Sequence, residues 1–259
     1  MRRFAISSSR AAALCAVLAA SWVEAQGPDR RAQFGLVAAH AVEGALAGLF
    51  PGAALQWRDR VLLTRPDTPA EEIFLPGFLQ RPISGGFLFA TGLELEGPKK
   101  DAMKKVESLE VVPTGSAPTR LLLFRTNSSG DLLAERTGTL DTTAAVTQGL
   151  DLQILNTPAN HTWPMLRIRY RSFHLHDTGS AAIEWTALVN GDSMSMVERV
   201  PTRVVVRPRE GSPISEVLLP TRINPELIEI RGVTRGKTLR LPCATPCLVD
   251  AGAVLAESW

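Results

Sequence analysis

Cysteine is scarce in this chain, with three residues at positions 15, 243 and 247. Aromatic residues make up only 6% and tyrosine occurs once, as Tyr170. Sugar-binding platforms and the girdles of outer-membrane barrels both consume aromatics, so neither reading is favoured. Charge of one sign is lacking too: the net charge is +2, which supplies no field to draw in nucleic acid or a membrane surface. After the first 25 residues no apolar run approaches the length of a transmembrane helix.

What is present begins with an address. Arg2 and Arg3 precede an apolar stretch from Ala11 to Trp22, and Val23-Glu24-Ala25 offers small residues at −3 and −1 of a cut before Gln26. This predicts a secretory signal peptide over residues 1–25, with export to the periplasm or the cell exterior. Cys15 lies inside its apolar core behind Leu14, which does not fit a lipid-anchor site, and Phe4 directly after the arginine pair does not fit a twin-arginine signal. The remaining chain of about 230 residues is long enough to bury a real core. With 45% hydrophobic and 21% charged residues, its composition is that of a folded domain rather than a disordered one.

Export leaves Cys243 and Cys247. In an extended strand their Cα atoms would stand about 13 Å apart. The intervening Ala-Thr-Pro lets the chain turn back, and an oxidising compartment favours a local disulfide. A Cys-x3-Cys thiolate site for Cu(I) is the alternative. The spacing and the absence of a βαβ context do not fit a thioredoxin-like redox pair.

Periodicity divides the chain in two. Phe34, Val37, Ala38, Ala41, Val42, Ala45, Leu46 and Leu49 recur at helical spacing and predict one helix over 30–50, capped by Asp29 and stopped at Pro51-Gly52. His40 and Glu43 fall on its other face as solvated residues. From residue 53 the period becomes two. Ala53–Arg65 reads as a strand, followed by a proline-rich connection, and Gly86–Glu96 alternates. Arg120–Thr126 and Asp131–Leu140 flank a turn at Asn127–Gly130. Met165–His176, Ala181–Val189 and Met194–Arg207 form a meander, with Asn190-Gly191 as a two-residue hairpin turn. Further strands follow near 215–220, 227–231 and 237–241. The chain is expected to be mainly β, an antiparallel sandwich or barrel with one N-terminal packing helix. A soft boundary near 209–213 sets off a C-terminal β segment, 213–259, from the β domain at 53–212.

Three motifs invite a functional reading. Gly232-Val-Thr-Arg-Gly-Lys-Thr238 resembles a phosphate-binding P-loop, but it is one residue short and runs into strand-like Leu239–Pro242, so it reads as a hairpin turn. Gly191-Asp192-Ser193-Met194 resembles the nucleophile block of GDSL-type esterases. That block opens an α/β fold and needs a late Asp-x-x-His pair, and here no histidine follows His176. Asn127-Ser-Ser and Asn160-His-Thr are glycosylation sequons.

One constellation carries chemistry. On Met165–His176, the residues Leu166, Ile168, Tyr170, Ser172, His174 and His176 share a face, and Arg167, Arg169 and Arg171 share the other. A symmetric 177–180 turn and a two-residue Asn190-Gly191 turn set His176 opposite Ala181, His174 opposite Ile183, and Ile183 opposite Glu198. The two imidazoles are then about 7 Å apart, and His174 and Glu198 about 9.6 Å. His174, His176 and Glu198 suit a Zn or Cu ligand set or an acid–base pair. The plainer reading, preferred on sequence grounds, is that they mark the wet rim of a sheet, with Glu198 paired to a histidine or a nearby arginine. The arginine row suits an anion or a solvated outer face. With no complete catalytic set, the expectation is a secreted or periplasmic, non-catalytic binding or assembly module, partnered by an envelope or extracellular protein or ligand. A metal-binding protein or metal-dependent enzyme, and a structural surface protein joined through an exposed strand edge, are the alternatives.

Overall fold

The computed structural model describes residues 30–57, 61–64, 71–96, 119–140, 145–176, 179–244 and 246–257. The signal peptide expected at 1–25, the Asp29 cap, the 97–118 connection and the Asp177-Thr178 turn lie outside these residues.

Helix α1 spans Arg30–Leu49, broken at Gly35, whose φ of 72° and ψ of 164° are not helical. Glycine is suited to this break because no Cβ opposes a positive φ. The predicted stripe is borne out from Ala38 onward: Ala38, Ala41, Val42, Ala45 and Leu46 are fully buried. Phe50 closes the last turn through its N–H to the Leu46 carbonyl, and Gly52, at φ 77°, redirects the chain.

Beneath α1 lies a seven-stranded antiparallel sheet. It comprises β1 (Ala54–Trp57), β2 (Val61–Thr64), β3 (Glu71–Phe74), β4 (Leu79–Ile83), β5 (Gly86–Glu96), β6 (Arg120–Asn127) and β7 (Leu132–Thr139). The single strand expected over 53–65 is instead a β1–β2 pair, Ala54 opposite Thr64, and the proline-rich stretch contributes β3 and β4. Strands β5 and β6 are buried on both sides. Phe89, Leu93, Leu122 and Phe124 meet the helix, with the Phe89 and Phe124 rings stacked at 4.8 Å. Leu88, Ala90, Leu121 and Leu123 face the opposite way.

That second side packs on an eight-stranded sheet ordered β14-β13-β12-β11-β10-β9-β8. Its strands are β8 (Ala145–Ile154), β9 (Leu166–His176), β10 (Gly179–Val189), β11 (Met196–Pro208), β12 (Ile214–Asn224), β13 (Leu227–Gly232) and β14 (Thr238–Pro242). A two-residue β15, Cys247–Leu248, adds in parallel to β11. Helix α2, Ala251–Leu255, follows, with Asp250 capping it through the Ala253 N–H. The layers are therefore helix, sheet, sheet: an antiparallel sandwich with a helix on one outer surface. Residues on both sides of 209–213 share one core, in which Trp185, Leu218, Ile230, Cys243 and Cys247 are all buried. Cys243 and Cys247 form a disulfide, their Cα atoms 4.7 Å apart.

Candidate functional site

The alternation predicted for β9 is present: Leu166, Ile168, Tyr170 and Ser172 are buried, whereas Arg167 and Arg169 are exposed. The cross-strand register differs from expectation. His176 lies opposite Gly179, His174 opposite Ala181 and Ser172 opposite Ile183, a shift of two residues. Between β10 and β11, Val189 pairs with Met196 and Ile183 with Val204, and bulges follow Glu184 and Leu188.

Glu198 therefore pairs with Leu188, which also pairs with Arg167. Cross-strand partners share a face, so Glu198 stands on the arginine side, seven β10 positions from the level of His174, or about 23 Å. The expected His174–His176–Glu198 set is not assembled. The His176 side chain lies outside the described residues, and among the described residues no three His, Cys, Asp or Glu side chains gather as a metal site.

Two features displace Glu198: the connection is longer than Asn190-Gly191 implies, and the bulge between Leu188 and Val189 moves Glu198 to the other face. The connection is a six-residue loop, 190–195, closed by Met194 N–H to the Asn190 carbonyl at 2.7 Å and Asn190 N–H to the Ser195 carbonyl at 2.9 Å. Gly191 is not there for a left-handed turn. A Cβ on it would fall 2.0 Å from the Pro164 carbonyl oxygen, so the glycine admits a neighbouring loop.

His174 belongs to a different arrangement. The Trp185 Nε1–H donates to Ser172 Oγ at 2.7 Å, and Ser172 Oγ lies 2.8 Å from His174 Nε2. Because indole nitrogen only donates, the chain is satisfied when the Ser172 hydroxyl donates onward to an unprotonated Nε2. Above the Trp185 ring, at 4.8 Å, sits the Arg199 guanidinium, which also donates to the Val249 carbonyl. A polar thread thus links four side chains through the inter-sheet core and leads to the segment following β15.

On the opposite face, Arg171 Nη2 donates to Glu184 Oε1 at 2.6 Å, and Arg203 Nη1 is 3.8 Å from the same oxygen. Arg167 donates to Gln153 Oε1 at 3.4 Å. Arg169 lies opposite Asp151 and Thr186. The expected Arg167–Arg169–Arg171 row exists, and its third member is engaged by Glu184.

A second polar cluster is one that sequence spacing did not reveal. The loops 155–165 and 190–195 meet where His161 Nδ1 lies 2.6 Å from Asp192 Oδ2. The same carboxylate accepts N–H groups from Thr162 and Trp163. Partial burial opposes charge on Asp192, but the His161, Thr162 and Trp163 hydrogen bonds outweigh it and hold the carboxyl below its ordinary range. Trp163, buried, lies under the Arg125 guanidinium at 4.2 Å and near that of Arg136 at 5.5 Å. Arg125 also donates to the Thr162 carbonyl. Met194 is the only non-glycine residue with positive φ among the described residues.

An Asp bonded to Nδ1 is the orienting half of an acid–base pair. The adjacent hydroxyl, Ser193 Oγ, bonds Ser195 Oγ at 2.6 Å, so the described contacts make a clamp between loops rather than a complete relay. His161 and Asp192 are 31 positions apart, and neither spacing nor periodicity links them. A smaller cluster ties α1 to the β6–β7 turn. His40 Nε2 lies 3.0 Å from Asp131 Oδ1, and Asn127 Nδ2 donates to Asp131 Oδ2 at 2.7 Å. Asn127 and His40 together lower the Asp131 pKa. His40 is exposed, as expected, but bonded.

The outer face of the eight-stranded sheet carries one further feature. Val217, Leu219, Ile223 and Val233 are 48%, 54%, 51% and 55% exposed. Val217 pairs with Arg203 and Leu219 with Arg231. Compared with known proteins, the chain matches no family profile, no curated protein and no solved structure. No described helix is long and apolar enough to cross a membrane.

Proposed function

We propose that this chain is a secreted or periplasmic, non-catalytic binding or assembly module whose partner is an envelope or extracellular protein docked on the outer face of the eight-stranded sheet. The observation that carries this reading is the group of half-exposed aliphatic side chains at Val217, Leu219, Ile223 and Val233. Exposed apolar residues are ordinary when scattered singly. Here three of them adjoin: Val217 and Leu219 alternate along one face of β12, and Val233 bonds through its N–H to the Val217 carbonyl at 3.0 Å. Arg203 and Arg231 border the patch, and the Arg167–Arg169–Arg171 row lies three strands away, about 14 Å. Aliphatic side chains bordered by carboxylates complement such a surface, the apolar part supplying burial and the charges orientation. The signal peptide expected from the sequence at 1–25 is what supports the location.

A photocrosslinking residue placed at Leu219 in the full chain, in its native host, is expected to give one discrete adduct that is lost with Val217→Asp. The same residue at Leu133, 65% exposed on β7, is the control. An adduct of twice the chain's mass would assign the face to a second copy. Equal labelling from both positions, or none from Leu219, would overturn the reading.

A further inference from the structure

The P-loop-like segment 232–238 forms the β13–β14 turn, closed by the Gly232 N–H to the Lys237 carbonyl at 2.8 Å and the Gly236 N–H to the Gly232 carbonyl at 3.1 Å. No helix follows it, so it lacks the dipole that a phosphate loop uses. It holds an oxyanion nevertheless. Glu216, projecting from β12 on the side opposite Val217, is 1% exposed, and its Oε1 accepts the backbone N–H of Thr234 at 2.6 Å and of Arg235 at 3.3 Å. Consecutive backbone N–H groups converging on one anion form a nest. A Cβ at position 232 would fall 2.9 Å from the same oxygen, so the glycine opens the cradle. The second oxygen, Oε2, is buried without a hydrogen-bond partner among the described residues. A carboxylate desolvated to this degree needs compensation, and the two turn amides are the contacts that supply it.

We infer that the Gly232–Lys237 turn is an oxyanion receptor, of the class that takes carboxylate or phosphate, and that its resident ligand is the chain's own Glu216. Occupancy fixes the turn against β12 and so positions Val233 beside Val217. The inference stands on Glu216 and the turn alone and does not depend on any partner docking there.

The test is chemical rescue in the full mature chain. Glu216→Ala empties the nest and is expected to melt below wild type, then to recover much of the loss in sodium acetate or inorganic phosphate relative to chloride at equal ionic strength. Wild type and Leu218→Ala, a neighbouring core truncation, should gain only the smaller general stabilisation that these salts give any fold relative to chloride. An anion response equal in Glu216→Ala and Leu218→Ala, or absent from both, overturns the receptor. Should Glu216→Ala fail to fold, Glu216→Gln replaces a charged acceptor by a neutral one. The Thr234 amide is then expected to exchange about tenfold faster than in wild type. A wild-type Thr234 amide that exchanges at the rate of an open turn would equally overturn it.

Discussion

Asp192 gathers hydrogen bonds from His161, Thr162 and Trp163, and its charge is what they require. Three donors, two of them backbone, hold its pKa below that of an ordinary aspartate. A group depressed in the folded state adds stability above its unfolded pKa and loses it as pH falls through the folded value. Asp192→Asn is therefore expected to lower stability at neutral pH, and the gap from wild type should close on acidification below about pH 4. Urea unfolding of both proteins across that range checks this. A gap that persists unchanged in acid would mean that the clamp works through shape alone. Asp131 is shifted in the same direction by Asn127 and His40, so the full acid response is shared between the two clusters. Glu135 runs opposite: burial raises its pKa, so folding favours its protonated form and stability falls as pH rises through its shifted range.

Among the elements, β15 is the one that local propensity cannot explain. It pairs with β11 at two positions, Glu198–Cys247 and Arg199–Leu248, too few to hold a strand without a tether. The Cys243–Cys247 bond supplies the tether, and Arg199 clasps the Val249 carbonyl just beyond. Closing a five-residue loop removes about 2 kcal/mol of unfolded-chain entropy. Replacing both cysteines by alanine should cost about that much. The Val249 amide, bonded to the Arg199 carbonyl, should then lose hydrogen-exchange protection before the rest of the sheet. Global unfolding without this early local loss would show that the disulfide is not what seats β15. The disulfide was legible in the sequence from two cysteines and a proline. The pairing of β15 was not, because its partner lies some fifty residues upstream. The same distinction accounts for the rest. Alternation along β9 identified which side chains face the core, since a half-buried strand writes its faces locally. Register depends on loop length, which Asn190-Gly191 misrepresented, and on bulges, one of which falls between Leu188 and Val189 with no turn residue to announce it. Glu198 therefore changed faces, and the His161–Asp192 contact, made between two loops, left no periodic trace.

At the scale of the whole molecule, β5 and β6 are the shared middle layer. Neighbouring residues on β6 serve different cores: Phe124 stacks on Phe89 beneath α1, whereas Leu123 meets the second sheet, and both are 0% exposed. A strand with no wet face transmits the loss of either core to the other, because its backbone cannot keep one packing surface while the other collapses. Leu123→Ala is expected to cost about 2–5 kcal/mol and Phe124→Ala about 3–5 kcal/mol, whereas Leu219→Ala on the outer face should stay within about 0.5 kcal/mol. Both core variants should unfold in one transition by fluorescence and by far-ultraviolet circular dichroism, with coincident midpoints. If Phe124→Ala instead melts the helix layer first and leaves the Trp163 and Trp185 environments intact, the two cores are separate cooperative units. The sandwich would then be a stable body to which the helix layer is merely attached.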